Sequence, residues 1–333
     1  LGFVNEKFRN QGLFSLKRRS SLLGLVVLVL SLACVGQKQQ FAGSLEFPHS
    51  SIPDSLTNPD HYFGAYFLHD AAFGTNTQVS IQGNQRVIVT NAIPNHSTGQ
   101  FPNAGNPNAI SAQRSVYRIP LQAQFTGQAN WARVPGVALN GVKFEPETAE
   151  VVRCESGENY RVEAIQNLFD LGLDFNHAHV QPTGAYHYHG PPTGVIAAFD
   201  QGEDVVHIGF ALDGFPIYYS KSGRYQPSYR IIEESHLGTN CHYSNPMEHR
   251  AIELDGTRLD GTFVSDWEYV NGLGDLDECN GIRIDGQYQY FVTDTYPYVG
   301  RCLKGIFKES RRGVPPPGGR PPQGHHLHKP HRH

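Results

Sequence analysis

Asn176-His177-Ala178-His179-Val180-Gln181-Pro182-Thr183-Gly184-Ala185-Tyr186-His187-Tyr188-His189 carries four histidines in two His-x-His pairs on either side of a turn signal. Period-two alternation is strand periodicity, so each pair projects both imidazoles to one face of its strand. Whether the pairs share a face depends on the loop, because a one-residue change of register turns a whole strand over. Pro182 presets the backbone for the second position of a type I turn, and Gly184 accepts the left-handed conformation that closes a three-residue loop with a bulge. That loop sets His179 opposite His187 and His177 opposite His189, with all four imidazoles on one face. A two- or four-residue loop would split the pairs between faces. In the three-residue register Ala178, Val180, Tyr186 and Tyr188 take the other face, where their apolar bodies suit a core.

The rest of the chain has the same texture. Val79-Ser80-Ile81-Gln82 and Arg86-Val87-Ile88-Val89 flank Gly83-Asn84, while Val137-Ala138-Leu139 and Val142-Lys143-Phe144 flank Asn140-Gly141; both are hairpin signals. Further strands are expected at 116–119, 205–212, 229–233 and 288–293. Only 160–169 has helical spacing, through Val162, Ile165, Leu168 and Phe169. With 35 glycines and 22 prolines in 333 residues, the pattern predicts a mainly-β fold. It is read as a single large turn-rich domain over 58–305, with sandwich-like or irregular sheets and few short helices.

Residues 1–33 read as an export signal: Lys17-Arg18-Arg19 precede an apolar run over 22–33 that is too short to span a bilayer. Leu1 in place of an initiating methionine suits a truncated or alternatively started reading frame. Cys34 follows Ser31-Leu32-Ala33, where a lipoprotein carries its lipidated cysteine, yet Ser-x-Ala also suits ordinary cleavage; a lipid anchor at Cys34 and plain secretion both stay open. The expected destination is the periplasm, the outer membrane or the extracellular space. Setting Cys34 aside leaves Cys154, Cys241, Cys279 and Cys302, an even set in an oxidising compartment. Three pairings are open, and Cys279 with Cys302 and Cys154 with Cys241 is preferred because each bridge then closes within its own part of the chain. Residues 34–57 read as an exposed linker, and 306–333, with Pro315-Pro316-Pro317 and five late histidines, as a disordered Pro/Gly/His-rich tail.

Formal net charge is −4; five basic residues and one acid fall within 1–33, and six basic residues and one acid from Lys308 onward, which leaves the folded body near −13. Such a body does not suit nucleic acid, whose backbone demands a positive footprint. It favours cations, metals among them. No Gly-x-Ser-x-Gly, phosphate-cradling glycine loop or dinucleotide fingerprint occurs, so serine-hydrolase and nucleotide-enzyme readings are poor.

Several segments together resemble the YHYH family, named for Tyr186-His187-Tyr188-His189. They are Asn91-Ala92-Ile93-Pro94-Asn95-His96, Gly136-Val137-Ala138-Leu139-Asn140-Gly141-Val142, Asp174-Phe175-Asn176-His177-Ala178-His179-Val180-Gln181-Pro182, and His207 through Tyr218. Leu276-Asp277-Glu278-Cys279-Asn280-Gly281 and Tyr296-Pro297-Tyr298-Val299-Gly300-Arg301-Cys302 complete the likeness, which covers about 85–305. The resemblance implies an exported protein of uncharacterised activity. Some relatives carry a second Tyr-His-Tyr-His where this chain has Tyr288-Gln289-Tyr290-Phe291. Within the chain, Gly184-Ala185-Tyr186-His187-Tyr188-His189 is itself echoed by Gly286-Gln287-Tyr288-Gln289-Tyr290-Phe291. Either the echo is a coincidence of a tyrosine-rich β chain, or the second copy keeps its strand and has lost its ligands.

Neutral imidazole is a common ligand for zinc and copper, so His177, His179, His187 and His189 are the expected metal set, with His96 as a further candidate. Histidines that only donate to backbone carbonyls or stack on tyrosines are the bland alternative. With three ligands and an open position the ion would support hydrolysis, with Asp213 or His207 assisting proton transfer. Asp213, beside Gly214 and Pro216, equally suits a tight turn. Asp275, Asp277, Glu278 and Asn280 gather oxygens near Gly281, but their spacing departs from an EF-hand and suits a disulfide-tied turn better. The competing class is a cell-surface module whose tyrosines contact glycan or another protein.

Overall fold

The computed structural model describes residues 62–308. The segments expected from the sequence to be an export signal and a linker, Cys34 with the lipid anchor considered there, and the expected tail past residue 308 lie outside the described residues. In chain order the strands are β1 (Tyr66–Asp70), β2 (Thr75–Gln82), β3 (Gln85–Thr90), β4 (Ser115–Pro120), β5 (Phe125–Trp131), β6 (Gly136–Ala138), β7 (Lys143–Phe144), β8 (Glu147–Cys154), β9 (Asn159–Glu163), β10 (Ala178–Val180) and β11 (Tyr186–Tyr188). After helix α1 (Thr193–Phe199) come β12 (Val205–Ala211), β13 (Pro216–Ser220), β14 (Tyr229–Ile231), β15 (Cys241–Ser244), β16 (His249–Ile252), β17 (Trp267–Tyr269), β18 (Gly281–Ile284), β19 (Gln287–Val292) and β20 (Cys302–Gly305). The fold is mainly β, as the sequence predicts.

β1 to β4 form an antiparallel sheet in chain order, and an eight-stranded sheet runs β10-β11-β7-β6-β12-β13-β19-β18. Alternation sorts the side chains: in β2, Thr75, Thr77 and Val79 are buried while the residues between them are only partly so. The main core joins the two sheets, with Tyr66, Val79, Ile88 and Ile119 of the first in one cluster with Val137, Phe144, Tyr188 and Ile208 of the second. Buried apolar area of this kind is the chief favourable term in folding. Hydrogen bonds fix the two sheets at the β6–β7 turn, where Tyr66 Oη donates to Leu139 O at 2.8 Å and Thr77 Oγ1 to Asn140 O at 2.7 Å. The turn needs Gly141, whose φ is +87° and whose Cβ, were there one, would stand 2.2 Å from Thr90 Oγ1.

A smaller sheet, β16-β15-β8-β9, has its own core of Val152, Val162, Phe169, Tyr243 and Phe263. The Cys154–Cys241 disulfide joins β8 to β15, and Cys279–Cys302 ties the approach to β18 to the start of β20. These are the pairings preferred from the sequence.

The helix expected over 160–169 is not formed. Its first half is β9, paired with β8, and Val162 is buried in the smaller core. Its second half is a turn in which Gln166 Oε1 accepts from Phe169 N at 2.9 Å while Gln166 Nε2 donates to Phe169 O at 2.7 Å. Tertiary pairing overrides a spacing that fits a helix but also fits a strand followed by a turn. The helix that does form, α1, follows Pro191-Pro192, and its cap comes from a distance: Asn176 Oδ1 accepts from Gly194 N at 2.8 Å and from Thr193 Oγ1 at 2.9 Å. Among the described residues no helix is long and apolar enough to cross a membrane.

Candidate metal centre

β10 and β11 pair with His179 opposite His187 and Ala178 opposite Tyr188. The register continues outward, since His189 N donates to His177 O at 2.8 Å. The connection is the three-residue loop read from the sequence: Gly184 N donates to Gln181 O at 2.8 Å, and Gly184 sits at φ +81°. Ala178, Val180, Tyr186 and Tyr188 face the main core. The opposite face carries His179, His187 and His189, whose ligand atoms all lie within 4.8 Å of one another.

His177 is not brought to this group. Its φ is +51°, so it has left strand geometry, and its Nδ1 donates to Pro191 O at 2.8 Å. It closes the turn begun by Asp174, whose carbonyl accepts from His177 N at 2.9 Å. A residue in the left-handed region does not continue the alternation on which a four-imidazole face depends.

Each ring of the remaining triad is held at Nδ1 by a backbone carbonyl. His179 meets Leu171 O at 2.9 Å, His187 meets Ala185 O at 3.2 Å, and His189 meets Pro146 O at 3.4 Å. The Nε2 atoms of His187 and His189 stand 2.9 Å apart. Burial depresses the pKa of all three rings: His179 falls below the ordinary histidine value, and His187 and His189 fall well below it, each further disfavoured by its imidazole neighbours. The rings are therefore neutral, the state in which a histidine ligates.

Beside them runs a polar strip on β7 and the end of β10. Lys143 lies opposite His187 in the parallel β11–β7 ladder, and Glu145 and Gln181 follow at the same period. Lys143 Nζ donates to Gln181 Oε1 at 2.8 Å, Gln181 Nε2 donates to Glu145 Oε2 at 2.8 Å, and Lys143 also pairs with Glu145. Arg133 completes the group at 2.7 Å from Glu145. Burial would raise the Glu145 pKa, but Lys143 and Arg133 outweigh it and hold the carboxylate below its ordinary value. Lys143, Glu145, Gln181 and Arg133 escaped the sequence reading; the Lys-x-Glu alternation was visible, but not the parallel pairing that sets it beside the histidines.

The other candidates stand apart from the triad. His96 lies against the tyrosine side of the hairpin, its Nε2 2.6 Å from Tyr188 Oη and its Nδ1 3.0 Å from Ser97 O. His207 sits on β12, stacked on Phe63 with ring centroids 4.4 Å apart, and burial pushes its pKa down to about 3. Asp213 is fully buried in the β12–β13 turn, where Oδ2 accepts from Tyr290 Oη at 2.6 Å and Gly305 N at 2.9 Å. Burial pushes its pKa up to about 6. Its partner strand β19 is five places from β11 in the sheet, roughly 24 Å at ~4.8 Å per strand. In the acidic loop before β18, Asp277 accepts from Cys279 N, Gly281 N and Tyr288 Oη, and Lys304 lies 3.0 Å from Asp277 and 2.8 Å from Glu278, while Asn280 Oδ1 is buried without a hydrogen-bond partner.

Comparison with known families matches residues 116–305, which include the hairpin and the whole eight-stranded sheet, to the family described as YHYH protein. The chain belongs to the YHYH family. Its signature strand Tyr186-His187-Tyr188 thus has two jobs in this YHYH protein: the tyrosines fill the core, and His187 presents an imidazole with His179 and His189. No curated protein and no solved structure gives a significant match. The two disulfides of the YHYH domain fit a periplasmic or extracellular protein.

Proposed function

We propose that this YHYH domain binds a transition metal ion, zinc or copper, through Nε2 of His179, His187 and His189. The observation that carries the reading is the convergence of three imidazoles whose ligand atoms all lie within 4.8 Å of one another while each Nδ1 sits on a backbone carbonyl. Backbone carbonyls only accept, so a ring that holds one through Nδ1 carries its proton there and leaves Nε2 a lone pair for a cation. Nε2 of His187 and Nε2 of His189 stand 2.9 Å apart, close enough to share either one ring proton or one metal cation. Tetrahedral zinc, with Zn–N of about 2.0–2.1 Å, sets its nitrogens about 3.3 Å apart. That spacing falls between the closest pair at 2.9 Å and the 4.8 Å that bounds the triad. The carbonyl-anchored Nδ1 atoms are the usual outer support of ligating histidines.

Three imidazoles leave a fourth position on a tetrahedral ion, and an ion so held supplies Lewis acidity toward a carbonyl or phosphoryl oxygen. Metal-assisted hydrolysis is therefore the form of catalysis we assign if the domain turns over a substrate. Lys143, opposite His187, is the cation best placed to face negative charge developing there. We further propose that the protein acts outside the cytoplasm, secreted or held by a lipid on Cys34.

The test compares the full-length chain with its His187→Ala/His189→Ala variant by elemental analysis after gel filtration. One additional equivalent of zinc or copper in the wild type is expected, and His177→Ala retains it. Equal metal content in the folded wild type and the folded double variant overturns the reading.

A further inference from the structure

The eight-stranded sheet reads alike from both ends. It divides between β6 and β12, which pair antiparallel with Phe210 opposite Val137, Gly209 opposite Ala138 and Ala211 opposite Gly136. Gly136-Val137-Ala138-Leu139-Asn140-Gly141 thereby meets Gly209-Phe210-Ala211-Leu212-Asp213-Gly214 about a local twofold axis. Hydrogen bonds obey the same axis: Leu139 N donates to Ile208 O and Leu212 N to Pro135 O, both at 2.9 Å. Ala138 N donates to Val142 O and Ala211 N to Phe215 O, both at 2.8 Å. Each inner hairpin then takes a parallel partner, Tyr188 opposite Phe144 on one side and Tyr290 opposite Ile217 on the other.

The outer hairpins share their anchoring hydrogen bonds. Tyr186 Oη donates to Asp174 Oδ2 at 2.7 Å, and Tyr288 Oη to Asp277 Oδ2 at 2.8 Å. Asp174 Oδ1 accepts from Asn176 N at 2.8 Å, and Asp277 Oδ1 from Cys279 N at 2.9 Å. His177 and Asn280 both sit in the left-handed region, at φ +51° and +57°, and their carbonyls accept from His189 N and Phe291 N, both at 2.8 Å. Tyr188 Oη meets Asn140 at 2.9 Å, and Tyr290 Oη meets Asp213 at 2.6 Å.

We infer that the domain is an internal duplication, and that the metal position has a disarmed twin in which Ile282, Gln289 and Phe291 stand where His179, His187 and His189 stand. Register makes the assignment, since Ile282 pairs with Gln289 as His179 pairs with His187. The second hairpin turns on Asp285-Gly286, at φ +50° and +81°, one residue fewer than 182–184. The faces are nevertheless kept, because both loops preserve the pairing of tyrosine with its partner strand. Phe291 fills the twin with carbon, its ring 4.4 Å from that of Tyr225. The smaller sheet draws on both halves: β8 and β9 leave the first between its inner and outer hairpins, β15 and β16 leave the second at the same point, and Cys154–Cys241 joins them.

The metal part of this inference rests on the function proposed above; the duplication does not. Ile282→His, Gln289→His and Phe291→His are introduced together into the full-length His187→Ala/His189→Ala background, and cobalt(II) is the probe, read by its visible ligand-field absorption. One equivalent of tetrahedral cobalt, absent from the background, is expected. A folded graft that takes up no cobalt, while the wild type takes up one equivalent, overturns the twin site. If the graft does not fold, the wild type decides: NMR contacts between the Hα atoms of Ala138 and Gly209, and of Gly136 and Ala211, are expected together, and the absence of either overturns the duplication. A wild type that binds no metal overturns the proposed function and the twin metal position with it, whereas the duplication is judged by those contacts alone.

Discussion

Asp213, expected from the sequence either to assist proton transfer or to make a tight turn, lies in the β12–β13 turn. Its carboxylate is buried and accepts from Tyr290 Oη and two backbone amides, and burial lifts its pKa from 3.8 to about 6. The folded chain thus holds this proton more tightly than the unfolded chain does. Stability from the group is full below pH 3.8 and is lost as pH rises through about 6. The shift corresponds to about 3 kcal/mol. In urea titrations, the stability of the wild type relative to Asp213→Asn is expected to fall by about that amount between pH 4 and pH 7. A flat or rising difference would show that the carboxyl is not protonated in the fold. The same scale explains what the sequence hid at His177. Its spacing from His179 is that of a strand, and only the backbone, turned left-handed by the Asp174 turn, removes it from the imidazole face.

Among the elements, the histidine hairpin was legible because its determinants are local. Pro182, Thr183 and Gly184 fix the loop, the loop fixes the register, and the register fixes which side chains share a face. The preferred disulfides were legible because each bridge closes within its own part of the chain, although Cys154 and Cys241 are 87 residues apart. Helix α1 was not, since its cap is Asn176 across the hairpin, and β9 was mistaken for a helix because its partner β8 supplies what its own spacing does not. Parallel pairing of β7 with β11 likewise leaves no mark in either strand. The hairpin's dependence on its loop gives a sharp expectation at Gly184. A side chain there would suffer the left-handed backbone at φ +81°, and its Cβ would stand 1.9 Å from Ser111 Oγ. Gly184→Ala is expected to cost about 1–3 kcal/mol in denaturant unfolding and to weaken metal uptake, whereas Thr183→Ala stays within about 0.5 kcal/mol of the wild type. Equal effects of the two substitutions would mean that the loop does not set the register.

At the scale of the molecule, two constraints act on different parts of the fold. The Cys154–Cys241 bridge closes a span of 87 residues and joins β8 to β15. Chain-entropy arguments give it about 4.6 kcal/mol, so Cys154→Ala/Cys241→Ala is expected to lower the midpoint by roughly 10–15 °C for a domain of this size. Metal content should be retained, because the triad hangs on β10 and β11 instead. A bound ion would stabilise the same molecule by mass action, about 2.7 kcal/mol at a free concentration a hundred times its Kd. That corresponds to a rise of roughly 5–10 °C in Tm. A segment that binds metal equally in the folded and unfolded chain leaves Tm where it was, since only differential binding shifts the equilibrium. The triad is different, because its three nitrogens converge only when β10 pairs with β11 and the carbonyls of Leu171 and Pro146 lie against it. Zinc should therefore raise the Tm of the wild type and leave the His187→Ala/His189→Ala variant unmoved. Equal shifts in the two proteins would place the stabilising ion elsewhere in the fold.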